Sequence, residues 1–184
     1  MLAQIEEAFA ARTASEARMR RLVADARHDL LTLDPGRPVV LSGPARDGEI
    51  PPAPGAALVL GDEARLRQVT ANLVGNVHAH TPATAPVRVG VGVVGNEAVL
   101  EVADTGPGLG PTDPGRVFER FFRADGSRAR GGGAGAGLGL AIAWSLAAAH
   151  GGRVETCPTP GGGATFRLCL PALSVPEGSS APRP

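Results

Sequence analysis

Lysine is absent from this chain: all 18 of its basic side chains are arginine. That absence removes Schiff-base chemistry and the Gly-Lys-Ser/Thr phosphate loop together, so a phosphate must be held by other means. Excess charge of either sign is missing too. Eighteen basic residues balance 18 acidic ones, which leaves no broad field to draw in nucleic acid or an anionic membrane, and partners must be recognised locally. Long apolar runs are lacking: "AALVL" and "GLAIAWSLAAA" fall well short of the ~20 residues that span a bilayer, and no signal-peptide pattern opens the sequence. A cytoplasmic chain is the expectation. Cysteine occurs only at 157 and 169, without zinc spacing or a nearby histidine pair, and reads as two buried, reduced thiols.

What is present divides into four parts. Residues 2–27 contain neither Gly nor Pro and set Leu2, Ile5, Phe9, Met19, Leu22 and Val23 on an approximately helical stripe. Arg12, Thr13 and Glu16 interrupt that stripe, so the helix either packs on its own domain or pairs two chains into a homodimer. Residues 34–55 are turn-rich, with a short strand expected at 38–41. The compact body runs from "AALVLGDEARLRQ" to "ATFRLCLP", and a polar Pro/Ser tail, expected to be disordered, closes the sequence. The domain reading is a linker or dimerisation helix at 1–33, a body at 34–172 and a tail at 173–184.

The body alternates strand and helix signals. A strand is expected at 56–60, then a helix from Glu63 to about His80 capped by Asp62 and ended by Pro82. Two strands flank a Gly95-Asn96 turn. A short helix is expected near 113–121, another from Leu138 to His150, and a closing hairpin. The order predicts an α+β two-layer sandwich, with a mostly antiparallel sheet covered on one face by helices and preceded by the N-terminal amphipathic helix.

Three stretches of this body carry chemistry. Asn72 and Asn76, at i and i+4, project from one face of a helix whose other pattern, Leu66, Val69, Leu73 and Val77, faces the core. An amide oxygen is a hard neutral ligand for Mg2+ and its NH2 can donate to phosphate, although a solvated polar face would look the same. "ADTGPGLG" places Asp104 at a strand end, where a carboxylate can accept from an exocyclic amine, ahead of Gly106 and Gly108. "RGGGAGAGLGL" brings bare backbone amides to a helix N-terminus, an anion site. It does not fit the dinucleotide fingerprint, because the nearest match ends in Ala136 and follows a charged loop rather than a strand.

Taken in order, these stretches resemble the catalytic ATP-binding domain of sensor histidine kinases, part of the wider class that includes DNA gyrase and MutL-type ATPases. "NLVGNVHAHTP" looks like the family's N box, "DTGPGLG" its first glycine box, "VFERFFR" its F box and "GAGLGL" its second glycine box. The resemblance covers residues 56–171 and implies a Bergerat ATP-binding fold and a kinase working on Mg-ATP, with a response regulator receiver domain as partner. By the same resemblance Asn76 would coordinate Mg2+, Asn72 would lie beside the phosphates, and Asp104 would bind the adenine amine. Gly106 and Gly108 would shape the purine pocket, while Gly135, Gly137, Leu138 and Gly139 would cradle phosphates under a lid of residues 123–134. His80 falls where an aromatic packs on adenine, Thr165 would sit near the purine, and Arg120 and Arg123 would steady the γ-phosphate. The F-box aromatics Phe118, Phe121 and Phe122 also read as filling a core gap.

Two departures matter. Ala79 stands where the family often has a basic residue reaching phosphate. "MRRLVADARHDLLTL" looks like the phosphoacceptor box, with His28 on the acceptor position, but Leu31 and Leu33 replace its Arg and Pro and no second hairpin helix follows. The same stretch also resembles the ordinary entry into the ATP-binding domain, where a histidine has no catalytic duty. Gyrase-type hydrolases carry Glu where Asn72 stands; an amide cannot take a proton from water, so transfer rather than hydrolysis is the expected chemistry. The alternatives are a nucleotide-binding module without kinase activity and an ATPase or anti-sigma-type serine kinase.

Overall fold

The structure, a computed structural model, describes residues 21–45, 51–109, 115–121 and 137–173. The stripe residues Leu2, Ile5, Phe9 and Met19, the lid at 123–134 and most of the tail lie outside them. Helix α1 covers 21–33. Strand β1 follows at Val39–Ser42, helix α2 at Glu63–His80, strands β2 at Val87–Val94 and β3 at Glu97–Asp104, helix α3 at Gly139–Ala149, and strands β4 at Arg153–Pro158 and β5 at Ala164–Pro171. The sheet has the order β1-β2-β3-β5-β4. Only β1 and β2 pair in parallel; the other neighbours are antiparallel.

Helices α2 and α3 form where the sequence places them. Asp62 Oδ1 accepts from the amides of Ala64 and Arg65 at 2.9 and 3.1 Å, satisfying donors that the first turn of α2 leaves open. Leu66, Val69, Leu73 and Val77 are buried as expected. On α1, Leu22, Val23, Ala26 and Leu30 join the same core cluster, so the described part of the N-terminal helix packs on its own domain. α3 turns Ala141, Ala143 and Ala147 inward, which lets it lie close beside α2. Opposite the helices, Ala98, Leu100 and Val102 of β3 pair with Leu170, Leu168 and Phe166 of β5 and form the floor of the core.

The other face of the sheet holds a buried ionic cluster that the sequence reading missed. Glu101, 0% exposed, accepts from Arg88, from the Ala45 amide at 2.8 Å and from Arg167 Nε at 2.9 Å, while Arg167 also donates to the Ala45 carbonyl at 2.9 Å. A buried carboxylate needs such partners. Here they pin the turn-rich segment across the sheet.

Several expectations need correction. Residues 56–60 form no strand: Ala57, Leu58 and Val59 are buried in an extended segment that pairs with no ladder, although Leu58 accepts from the Leu173 amide at 2.8 Å. That bond also holds Leu173, the first residue of the expected tail. The helix expected near 113–121 is a single 3-10 turn, Arg116–Phe118. There Val117 is buried and Phe118 packs against the core, whereas Phe121 is 70% exposed and fills nothing; Phe122 lies outside the described residues. Both cysteines are free, but only Cys169 is buried; burial foremost, with Glu155 nearby, pushes its thiol up to about 11 and keeps it protonated. No helix among the described residues is long and apolar enough to cross a membrane.

Candidate functional site

α2 and α3 run antiparallel, and two contacts fix how they sit. At one end the Asp62 amide donates to His150 Nε2 at 3.1 Å. At the other, a Cβ placed on Gly139 would lie 3.8 Å from Asn72 Oδ1, so Asn72 stands against the first residue of α3. Asn72 Oδ1 accepts from Gln68 Nε2 at 3.2 Å, but its Nδ2 is buried and finds no partner among the described residues. A buried amide donor left unmade costs about 1–3 kcal/mol. Leu138, at the N-cap of α3, offers no side-chain cap to the amides that follow it. The Asn72 amide group, with its unpaired donor, therefore lies beside a helix start that has no side-chain cap from Leu138, and both suit a phosphate. Asn76, partly exposed, lies one turn further along the same face.

The second half of the site is the end of β3. Asp104 is 4% exposed and its Oδ1 accepts from the Gly106 amide at 2.7 Å, which leaves Oδ2 available to a donor. Two close approaches shape this corner, and neither was read from the sequence. A Cβ on Gly106 would fall 3.1 Å from Thr81 Oγ1 and 2.9 Å from Asp104 Oδ1, so the C-cap residue of α2 presses directly on the glycine. Gly163, at φ +101, lies so near that its Cβ would sit 2.0 Å from the Asp104 carbonyl oxygen. Thr81 follows a helix whose end was already recognised; the clue to Gly163 was the unbroken run Gly161–Gly163.

Asn72, Asn76, Leu138, Gly139, Asp104, Gly106 and Gly108 are gathered around α2, α3 and the end of β3. Thr165 is not among them. It pairs with Ala103 rather than with a residue in step with Asp104, and strand alternation turns it to the opposite face, where its hydroxyl meets Thr159 Oγ1 at 2.8 Å. His80 is exposed at the last position of α2, and Arg120 is exposed just after the 3-10 turn. Arg123 and Gly135 lie outside the described residues, and Gly137 is the first residue described after that gap.

His28 is set apart as well. It is exposed on α1, on the side away from Leu22, Ala26 and Leu30. α1 meets α2 through Asp25–Arg67 at 3.0 Å and Arg21–Glu63 at 3.6 Å, while Asp34 after α1 meets His78 at 3.0 Å. At 3.6 residues per turn, Glu63, Arg67 and His78 lie roughly 160° around α2 from Asn72 and Asn76. α2 thus stands between α1 and the phosphate-facing amides.

The residues present fit an adenine nucleotide: a buried carboxylate for an amine, an orphaned amide donor, and bare helix-start amides for phosphate. They offer no resident metal cage, since no group of three His, Cys, Asp or Glu is assembled among the described residues. A magnesium ion here would take its ligands from Asn76 and from the phosphates themselves.

Comparisons with known proteins find the family and the fold. Residues 61–174 match the family described as histidine kinase-, DNA gyrase B-, and HSP90-like ATPase. The sensor-like histidine kinase SenX3 of Mycobacterium tuberculosis is 46% identical over 123 residues, which cover 66% of this chain and 29% of SenX3, so the chain spans less than a third of that relative. The mycobacterial sensor histidine kinase MprB has a similar fold, at a TM-score of 0.69 and 24% identity over 84% of this chain and 95% of the solved one. Full-length ShkA, solved in complex with AMPPNP, matches at a TM-score of 0.62 and 30% identity over 87% of this chain and 30% of that one.

Proposed function

From the premise that this chain belongs to the histidine kinase-, DNA gyrase B- and HSP90-like ATPase family, we propose that it is the ATP-binding catalytic domain of a sensor histidine kinase. In this reading it passes the γ-phosphoryl group of Mg-ATP to a histidine, for relay to an aspartate of a response regulator receiver domain. The observation that carries the reading is Asn72. Its amide group lies against Gly139, the first residue of α3, and its buried Nδ2 has no partner among the described residues, which suits a donor to phosphate. Because it is an amide, it orients phosphate and takes no proton from water, which favours transfer to an acceptor that is itself nucleophilic, such as a neutral imidazole. Asp104 accepts the adenine amine, Asn76 supplies a neutral oxygen to magnesium, and Gly106, Gly108 and Gly139 let the ligand approach the backbone. Bound Mg-ATP supplies the transferable phosphoryl group and the metal charge that offsets its negative oxygens; the protein's share is position and electrostatics.

The exposed, remote location of His28 supports a donor whose acceptor histidine belongs to another molecule. The test is a titration with a fluorescent ATP analogue, with and without Mg2+, followed by labelled ATP with wild-type chain and His28→Gln. Saturable binding competed by ATP and ADP but not GTP is expected, together with equal self-labelling of both proteins. Label lost in His28→Gln would make His28 the acceptor. No binding by folded protein would leave a binding module that has no kinase activity.

A further inference from the structure

Among the described residues, Arg37 is the most deeply buried cation, with a side chain 0% exposed. It is placed by a turn. Asp34 closes α1, its amide donating to the Leu30 carbonyl at 2.9 Å, and Pro35-Gly36 then bends the chain so that the Arg37 amide reaches the Asp34 carbonyl at 3.1 Å. The two side chains fold back on each other: Arg37 Nε and Nη2 donate to Asp34 Oδ2 at 2.8 and 2.5 Å. Asp34 Oδ1 meets His78 Nδ1 at 3.0 Å. Burial acts to raise the Asp34 pKa, but the bonds from His78 and Arg37 outweigh it and hold the carboxyl below its ordinary value.

The rest of the guanidinium points elsewhere. Nη2 donates to the Thr81 carbonyl at 3.3 Å and Nη1 to the Ala85 carbonyl at 3.1 Å, so one planar fork holds both ends of the loop after α2. That loop also turns on itself, the Ala85 amide donating to Pro82. Thr81 presses on Gly106, and Gly106 bonds Asp104. Stability alone does not explain such a group, because a buried ion pair gains little over well-packed apolar residues of similar volume. What apolar residues could not supply is a fixed distance between a carboxylate at the end of α1 and the two carbonyls that bound the loop after α2.

We propose that Arg37 is a positioning residue for the adenine end of the nucleotide site, and that through it the docking of α1 sets nucleotide affinity. This rests on the nucleotide reading above. The test uses Arg37→Lys, which keeps the charge and loses the fork. Hydrogen exchange is measured on the ligand-free chain, and affinity is measured with a fluorescent ATP analogue in the presence and absence of Mg2+. The expected result is faster exchange at Ala83–Ala85 with the first half of α2 still protected, and affinity weakened about tenfold, within the range typical of coupled networks. The loss should be equal with and without Mg2+, because the metal end is untouched. Where Arg37→Lys does not fold, His78→Ala takes its place, removing only the outer partner of Asp34; it should move both readouts the same way, about two- to threefold in affinity. Wild-type exchange at 83–85 in a variant of a chain that binds nucleotide overturns the positioning role alone. A wild-type chain that binds no adenine nucleotide overturns the functional reading, and the coupling with it.

Discussion

Asn72→Leu should make the protein more stable and less able to bind nucleotide. In the ligand-free fold the Asn72 Nδ2 is buried with no partner among the described residues, a penalty of about 1–3 kcal/mol that an isosteric apolar group removes. The substitution also gives up the bond from Gln68 at 3.2 Å, which is solvent-exposed and worth a few tenths of a kcal/mol. The net gain is about 1–2 kcal/mol, or about 3–6 °C in Tm for a domain of this size. The same change deletes a donor to phosphate, so affinity for an ATP analogue should fall by about tenfold or more, as for a hydrogen bond to a charged group. Differential scanning calorimetry and fluorescence titration on one preparation measure both. A lower Tm would mean that Nδ2 is satisfied in the free protein. An unchanged Kd at raised Tm would mean that the orphaned amide has nothing to do with the ligand.

Asp104→Asn keeps an oxygen for the Gly106 amide but turns the free carboxylate oxygen into a donor. Stability should hold within about 0.5 kcal/mol while adenine-nucleotide affinity falls by about 10- to 100-fold in the same titration. Gly163→Ala, whose new Cβ would meet the Asp104 carbonyl at 2.0 Å, should cost about 3 kcal/mol or more in urea denaturation. Gly161→Ala, with open space around it, should cost only the left-handed backbone penalty of about 1–2 kcal/mol. Equal losses would remove the steric account. Because the Asp34 carboxyl titrates lower in the folded state, the unfolded chain takes up that proton first on acidification. Its contribution is therefore intact above about pH 4 and drains away below, so urea midpoints of Asp34→Asn should fall less steeply between about pH 4 and 2 than those of the wild type.

Much of the fold was legible because local signals agreed. Asp62, the apolar i, i+3, i+4 spacing and Pro82 define α2 without help from the rest of the chain, and Gly95-Asn96 defines a hairpin that the register confirms. Residues 56–60 carry the composition of a strand, yet a strand needs a continuous ladder, and this stretch is held by isolated bonds, Gly55 to Val91 before it and Leu173 to Leu58 within it. Thr165 shows the same limit within the site. Its resemblance to a position in the family's final strand said nothing of which face it would take, since that depends on pairing with Ala103. The Arg88–Glu101–Arg167 cluster and the Arg37 fork join residues far apart in sequence, and no spacing rule could have found them. The asparagines were legible as a pair, whereas the orphaned donor emerged only once α3 was laid against α2.

Phe121, in a left-handed conformation at φ 64, donates its amide to the Gly137 carbonyl at 3.1 Å. That one bond staples together the two ends of the stretch from 122 to 136. In a stapled loop, doubling the number of residues between the clasped ends costs only about 0.6 kcal/mol of closure entropy. Length between Phe121 and Gly137 can therefore be changed at little entropic cost. A designer could exchange or extend the sequence between Phe121 and Gly137 while α2 and α3 kept the spacing that Asp62–His150 and Asn72–Gly139 give them.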